Sequence, residues 1–166
     1  MKKYIGIDVG KTGGIAVLGE DNSLILHPIP TIGKELDVQA LSDILEQYIS
    51  DDSLFAVEDV RSLPGVGSGS NFSFGNVKGL KVGILTALKA RMILVFPKTW
   101  QKVSLQGVPI QKKANGKTDT KLMALIGAKR LFPTESFLAT KRSSVPHDGL
   151  IDAALIAYYL KTNHRL

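Results

Sequence analysis

The sequence predicts an α/β domain in which helices flank a central mixed sheet of five strands. Three observations support this class: short β-branched runs near the N-terminus, a later alternation of apolar runs with helical patterns, and closing helices with apolar faces. A chain of 166 residues has room for one domain with a real core and hardly for two. We therefore expect a single domain over residues 1–166.

The first half of the chain supplies four predicted strands and one helix. Residues 4–8 and 14–18 form two strands joined by the glycine turn VGKTGG, and residues 23–30 form a third, antiparallel to the second. Apolar residues recur at the helical spacing of 3.6 residues over 37–50. The apolar run LFAVEDV at 54–60 predicts a buried strand that leads into two carboxylates.

The second half predicts a fifth strand, further helices and two loops. A Gly/Ser loop is expected at 61–75 and a polar loop at 104–117. The predicted strand covers residues 92–96. Helices are predicted at 77–89, at 119–131 and at 149–161, and a short helix is predicted to start at Pro97. With these elements the first three strands are antiparallel and the last two are parallel.

Composition narrows the class of protein. Hydrophobic residues make up 44% and charged residues 22%, which is ordinary for a soluble globular chain. No apolar run reaches the roughly 18–20 residues of a membrane span, and the start lacks a signal-peptide pattern, so we expect no membrane partner and a cytoplasmic location. The absence of cysteine excludes disulfides and thiolate metal sites.

Charge is distributed unevenly along the chain. Residues 1–60 hold 4 lysines and arginines against 11 acids, whereas residues 61–147 hold 15 against 2. The total charge is +6. A basic half of this size indicates a polyanion such as nucleic acid, and a solvated basic surface is the alternative.

Four carboxylates lie at the ends of predicted elements. Asp8 ends the first strand and Glu58 lies near the end of the fourth, and the ends of strands are where α/β sheets expose chemistry. Asp148 and Asp152 are four residues apart in PHDGLIDAALIAYYL, so a helix places both on one face.

Structural explanations exist for some of these acids. Asp8 could accept backbone hydrogen bonds in its turn, and Asp148 could cap its helix. Asp152, Glu58 and its neighbour Asp59 are harder to explain, because an unpaired buried carboxylate is costly and the first sixty residues offer few lysines.

A divalent cation would neutralise all four carboxylates together. Hard oxygen donors without cysteine favour Mg²⁺, with Mn²⁺ as a substitute. Two such ions in one site would support the hydrolysis of a phosphodiester bond. His147 is a candidate base or outer ligand, and a histidine that bonds backbone at the start of the helix is the alternative.

The segment GIDVGKTGG admits a second interpretation, in which Asp8 faces the phosphates of a nucleotide. Sugar kinases and actin-like proteins use such a turn, but they need two domains clamped on the nucleotide and lack a closing Asp-x-x-x-Asp helix. We therefore expect Asp8 to face metal, and we expect no nucleotide cofactor.

Taken in order, the motifs resemble those of RuvC-type Holliday junction resolvases of the ribonuclease H-like superfamily. They are GIDVGKTGGIAVL, AVEDV, SFGNVKGLKVGILTALKARMILVFPKTWQKV, KRLFP and HDGLIDAALIA. The likeness is greatest to small phage and prophage resolvases and extends to the resolvase of plant plastids. It implies a ribonuclease H-like fold, a role in DNA recombination and repair, and two Mg²⁺ ions held by Asp8, Glu58, Asp148 and Asp152.

The chain departs from the family pattern at two points. Many relatives place two lysines directly before the last acidic pair, whereas here SSVPH separates Lys141 and Arg142 from Asp148. Longer bacterial resolvases space the final carboxylates by three residues and this chain by four. Both spacings keep the two acids on one helical face.

Contacts with DNA are expected from the Gly/Ser region and the basic half. In resolvases of this type an aromatic residue wedges into the junction; Phe72 is the more exposed candidate, and Phe74 is the one expected to anchor the loop. Trp100 is expected in the core. The basic residues expected at DNA phosphates are Lys112, Lys113, Lys117, Lys121, Lys141 and Arg142.

Gly79 and Gly83 lie on one face of the helix predicted at 77–89. They permit either the close approach of another element or packing on the chain's own sheet, and in relatives this helix builds a two-fold dimer. We expect a homodimer that nicks four-way junctions symmetrically. The alternatives are a nuclease with broader activity on forks, flaps or Y-junctions, and a non-catalytic junction-binding module.

Overall fold

The computed structural model describes residues 1–60 and 67–164. The strands are β1 (Lys3–Ile7), β2 (Gly14–Gly19), β3 (Leu24–Pro28), β4 (Thr31–Ile32), β5 (Glu35–Leu36), β6 (Ser53–Glu58) and β7 (Met92–Val95). The helices are α1 (Val38–Glu46), α2 (Ser68–Ala87), α3 (Pro97–Ser104), α4 (Thr120–Leu131) and α5 (Asp148–Asn163). None of the helices in these ranges is long and apolar enough to cross a membrane.

Five strands form one sheet in the order β3-β2-β1-β6-β7. Strand β1 pairs antiparallel with β2, which pairs antiparallel with β3. On its other edge β1 pairs parallel with β6, and β6 pairs parallel with β7. This confirms the predicted mixed sheet of three antiparallel and two parallel strands, flanked by helices.

Two parts of the chain differ from the prediction. A separate hairpin of β4 and β5 turns through Gly33, which has a φ of 60°, and its two-residue strands are too short to give a pattern. The loop predicted at 61–75 is wrong for residues 68–75, which belong to α2; residues 61–66 lie outside the described residues. The buried residues of α2 are Val77, Lys81 and Leu85, so the glycines and serines of residues 68–75 extend a helix that is packed from Val77 onward, despite their weak helix propensity.

Helices cover both faces of the sheet. Strands β1, β2 and β6 are therefore buried on both sides and consist almost entirely of apolar residues. On one face, Tyr4, Leu18 and Ala56 pack in a cluster with the buried side of α5. On the other face, Ile5 and Phe55 pack in a second cluster with residues of α1 and α2.

Helix α5 lies directly against the backbone of the sheet, and two glycines permit this approach. A Cβ atom on Gly6 of β1 would collide with the carbonyl oxygen of Ala153. A Cβ atom on Gly14 of β2 would lie 2.5 Å from the carbonyl oxygen of Gly149. A larger distance between α5 and the sheet would break contacts in the core. These glycines therefore set the distance between the acidic residues of α5 and the ends of the strands.

The substitution Gly6→Ala should therefore lower the free energy of unfolding by about 3 kcal/mol, since rigid backbone must shift to admit the methyl group. Gly75→Ala is the control, because a Cβ atom there meets nothing within 4 Å and alanine favours a helix by about 0.5–1 kcal/mol. Urea denaturation measures both values. Equal effects of the two substitutions would contradict the close-approach argument.

Candidate active site

The four predicted acids come together at one end of the sheet. Asp8 follows β1 and Glu58 ends β6, and these parallel strands are in register through Ile7 and Val57. Helix α5 crosses above them with Asp148 in its first turn. The negative charges of Asp8, Glu58 and Asp148 all act on Asp152, so the set forms one electrostatic cluster.

Burial dominates the electrostatics of this cluster. It raises the pKa of Glu58 to about 7 and that of Asp152 to about 8, and the charge of Asp8 adds to both increases. Burial also raises the pKa of Asp8, although a hydrogen bond from the Gly10 backbone N–H to Oδ1, 3.0 Å long, opposes this. A raised pKa means that the surroundings of a carboxylate disfavour its charged form, and a bound cation would stabilise that form.

A buried lysine beneath the cluster was missed by the sequence analysis. Lys81 of α2 is fully buried, and its Nζ donates hydrogen bonds to the carbonyl oxygens of Asp8 and Gly10, at 2.8 and 2.9 Å. Burial lowers the pKa of Lys81 to about 8, while the charges of Asp8 and Glu58 oppose that shift. Lysines are few within residues 1–60, as the sequence analysis found, but Lys81 lies outside that range and its charge acts on Asp8 and Glu58.

The signal for Lys81 was present in the sequence. Val77, Lys81 and Leu85 are the buried residues of α2 and recur every four positions, so the lysine occupies an apolar stripe. Counting lysines only within residues 1–60 overlooked a charge that the fold brings from another segment.

Trp100 orients Glu58. The indole is buried, which confirms its predicted place in the core, and its Nε1 donates a hydrogen bond of 3.0 Å to Glu58 Oε1. An indole is a donor only, so this contact holds one carboxylate oxygen and leaves the other for a different partner.

The two auxiliary candidates have structural partners. The carboxylate of Asp59 forms an ion pair with Lys78 of α2. His147 is the N-cap of α5, and its Nδ1 accepts a hydrogen bond of 3.3 Å from the Leu150 backbone N–H. The alternative that Asp148 caps this helix is therefore wrong. His147 still acts electrostatically on Asp8, so it lies beside the cluster.

The donor chemistry of the cluster fits a hard divalent ion, because all four candidate ligands are carboxylates. Their arrangement is not a formed coordination shell: within residues 1–60 and 67–164, no group of three or more histidine or acidic side chains is placed to hold a metal ion. Lys121 Nζ lies 2.5 Å from Asp148 Oδ2, and both side chains are more than half exposed. This pair engages Oδ2 of Asp148.

The predicted DNA contacts lie on exposed surfaces. Phe72 is 76% exposed on α2, whereas Phe74 is half-buried against the apolar cluster on that face of the sheet. Lys112 and Lys117 lie in a hairpin closed by a bridge between Lys112 and Thr118. Exposed side chains are also found at Lys113, Lys121, Lys141 and Arg142.

The glycine face of α2 is open. A Cβ atom on Gly79 or Gly83 would meet no described atom within 4 Å. The two glycines line a shallow groove with Leu80 and Ile84. The alternative that they pack on the chain's own sheet is therefore wrong.

In EDTA, we expect the melting temperature to fall as pH rises from about 5 to 8. The folded-state pKa values of Glu58 and Asp152 lie above the ordinary values, so the folded protein holds protons that the unfolded chain has lost, and stability decreases with pH in that window. Calorimetry should show a shallower fall in Mg²⁺ and in Glu58→Gln or Asp152→Asn. Asp43→Asn, at an exposed position of α1, should keep the full dependence, and a flat profile for the unmutated protein would refute the argument.

Lys81→Met should destabilise the protein by about 3–5 kcal/mol, because it removes one partner of a buried charged group. Lys89→Met is the control at an exposed position just after α2, where a change within about 0.5 kcal/mol is expected. Urea denaturation with and without Mg²⁺ provides the measurement. Mg²⁺ should stabilise Lys81→Met more than the unmutated protein; an equal gain would mean that Lys81 does not neutralise the cluster.

Comparisons with known proteins show the fold. No family model and no curated protein sequence matches the chain. The structure of Thermus thermophilus RuvC is similar with a TM-score of 0.57 and 16% identity, over 95% of this chain and 94% of that chain. The yeast mitochondrial Holliday junction resolvase Ydc2 is similar with a TM-score of 0.55 and 14% identity, over 96% and 78%. The chain has the RuvC-type, ribonuclease H-like fold, and its likeness to phage and plastid resolvases stays a prediction.

Proposed function

We propose that this protein is a Mg²⁺-dependent endonuclease that resolves four-way DNA junctions. The observation that carries the proposal is the cluster of Asp8, Glu58, Asp148 and Asp152 at the strand ends of a RuvC-type sheet. The similar yeast structure is that of a Holliday junction resolvase. The large positive charge of residues 61–147 supports a polyanionic substrate.

In this proposal the four acids hold two divalent ions, with Mn²⁺ able to replace Mg²⁺. When bound, such ions polarise the scissile phosphate and lower the pKa of the attacking water. Trp100 keeps one oxygen of Glu58 fixed, and Lys81 holds the Asp8–Gly10 backbone from beneath. Both contacts reduce the reorganisation needed when ions and DNA bind.

The exposed residues of the second half would hold the DNA. The lysines of the 112–118 hairpin, with Lys121, Lys141 and Arg142, are exposed and suited to phosphate contacts. Phe72 projects from α2 into solvent, where stacking on a base is worth about 1–3 kcal/mol. Partial burial of Phe74 supports an anchoring role instead.

A two-fold dimer matches the symmetry of the substrate. The open groove around Gly79 and Gly83 offers a surface on which a second copy of α2 could pack closely. A C2 dimer places two equivalent sites against two strands of like polarity. We therefore include paired, symmetric nicks in the proposal.

A non-catalytic junction-binding module is the second candidate. One observation favours it: the described carboxylates do not form a ready coordination shell, and Lys121 pairs with Asp148. Four buried or crowded acids are nevertheless a costly arrangement for a protein that only binds DNA.

Cleavage of labelled synthetic junctions tests these functions. We expect paired nicks in Mg²⁺, none in EDTA, and a rate at least about 100-fold lower in Glu58→Gln, since even residues that only orient a metal ligand cost 10–100-fold. Glu46→Gln, an exposed acid at the end of α1, is the matched control and should cleave normally.

Other outcomes identify other functions. Binding without metal-dependent nicking by the unmutated protein would favour the binding module. Equal cleavage of forks, flaps and Y-junctions in parallel reactions would favour the broader nuclease. Cut sites mapped on both strands would show whether the nicks are symmetric.

A further inference from the structure

The SSVPH segment, residues 143–147, forms a ridge beside the acidic cluster, and its Ser144 and Val145 are exposed. Val145 is 73% exposed although it is aliphatic. The segment is held at both ends: the His147 backbone N–H donates 2.8 Å to the carbonyl of the buried Phe137, and the Thr140 and Ser143 hydroxyls lie 3.0 Å apart. An apolar side chain is thus held in solvent by an anchored loop.

Val145 stands between two clefts that both reach Asp148. The cleft on the α4 side has a volume of about 280 Å³ and includes Leu122, Ile151 and Lys113 in its lining. The cleft on the other side has a volume of about 320 Å³ and is lined in part by Thr12, Ser143 and His147. Val145, Pro146 and Asp148 line both clefts.

The α4-side cleft combines apolar walls with charged side chains of both signs. Leu122 is 41% exposed and, with Val145 and the half-buried Leu125, offers aliphatic surface. The charged side chains of the lining balance, with two lysines and two acids: Lys113, Lys121, Asp119 and Asp148. Apolar walls with a few charged groups are typical of sites for small flat molecules. The walls therefore suit the face of a nucleobase, and the cleft lies directly beside Asp148 of the acidic cluster.

We propose that the α4-side cleft receives a nucleobase next to the scissile phosphate and that Val145 separates this base from its neighbour. The proposal rests on the proposed function, because only a nucleic acid held at the acidic cluster brings a base to this cleft. It makes Val145 and Leu122 determinants of which bases are preferred at the cut site. A base inserted beside an aliphatic ridge loses its stacking partner, which is a common device for local distortion of DNA.

Fluorescence of 2-aminopurine tests the cleft without cleavage. The analogue is placed singly at each nucleotide around the crossover of the junction, and the junction is bound by protein carrying Glu58→Gln. Binding should change the emission at one flanking nucleotide, and adding Val145→Ala or Leu122→Ala should remove most of that change. Ile32→Ala is the control, because Ile32 is 70% exposed on β4 and lines neither cleft.

Cut-site selection supplies the second measurement. On junctions with randomised flanking bases, Val145→Ala should lower the ratio of preferred to disfavoured sites about 10-fold, the lower end for an apolar contact. A ratio within twofold of Ile32→Ala, together with unchanged 2-aminopurine emission, would overturn the proposal. Absence of nicking by the unmutated protein would instead refute the proposed function, and the emission measurement would still decide whether a base enters the cleft.

Discussion

The arrangement of the candidate site depends on the cost of burying carboxylates around one point. Asp8, Glu58 and Asp152 are all withdrawn from solvent, and burial is the largest cause of each raised pKa. Such a cluster persists only where neighbouring groups offset the desolvation of the charges. Helix α2 supplies the ammonium of Lys81 and α3 supplies the indole of Trp100. Both helices therefore do more than cover the sheet: each brings a polar group to the site.

The close approach of α5 to the sheet also determines where the carboxylates lie. Two glycines in neighbouring strands let the backbone of α5 touch the backbone of the sheet, and the helix then starts beside the Asp8 turn. A Cβ atom on Gly149 would lie 2.9 Å from Asp8 Oδ2, which shows how tightly the first turn of α5 fits against that carboxylate. The contacts that pack α5 on the sheet thus also set the distance between its first turn and Asp8.

Local patterns were sufficient to predict the five strands of the main sheet, and they singled out the four acids of the candidate site. The antiparallel part of the sheet follows from apolar runs joined by short turns, and the acids are conspicuous because they interrupt apolar elements. Features that depend on distant segments were not predicted. Lys81 reaches Asp8 from 73 residues away, and Trp100 was correctly placed in the core without its bond to Glu58. Helix α2 was predicted to begin too late, because the glycines and serines of residues 68–75 have weak helix propensity, yet they extend a helix that is packed from Val77 onward.

The two lysines at the cluster differ in a way that bears on the proposed binding of ions. Lys81 is fully buried and bonded to two backbone carbonyls, so moving it would expose unsatisfied groups. Lys121 is exposed, and its pair with Asp148 belongs to a class worth about 0–1 kcal/mol. A divalent ion or a DNA phosphate can therefore displace the second contact far more readily than the first. The charge of Lys81 is thus a fixed part of the fold, whereas the charge of Lys121 can be exchanged for that of another group.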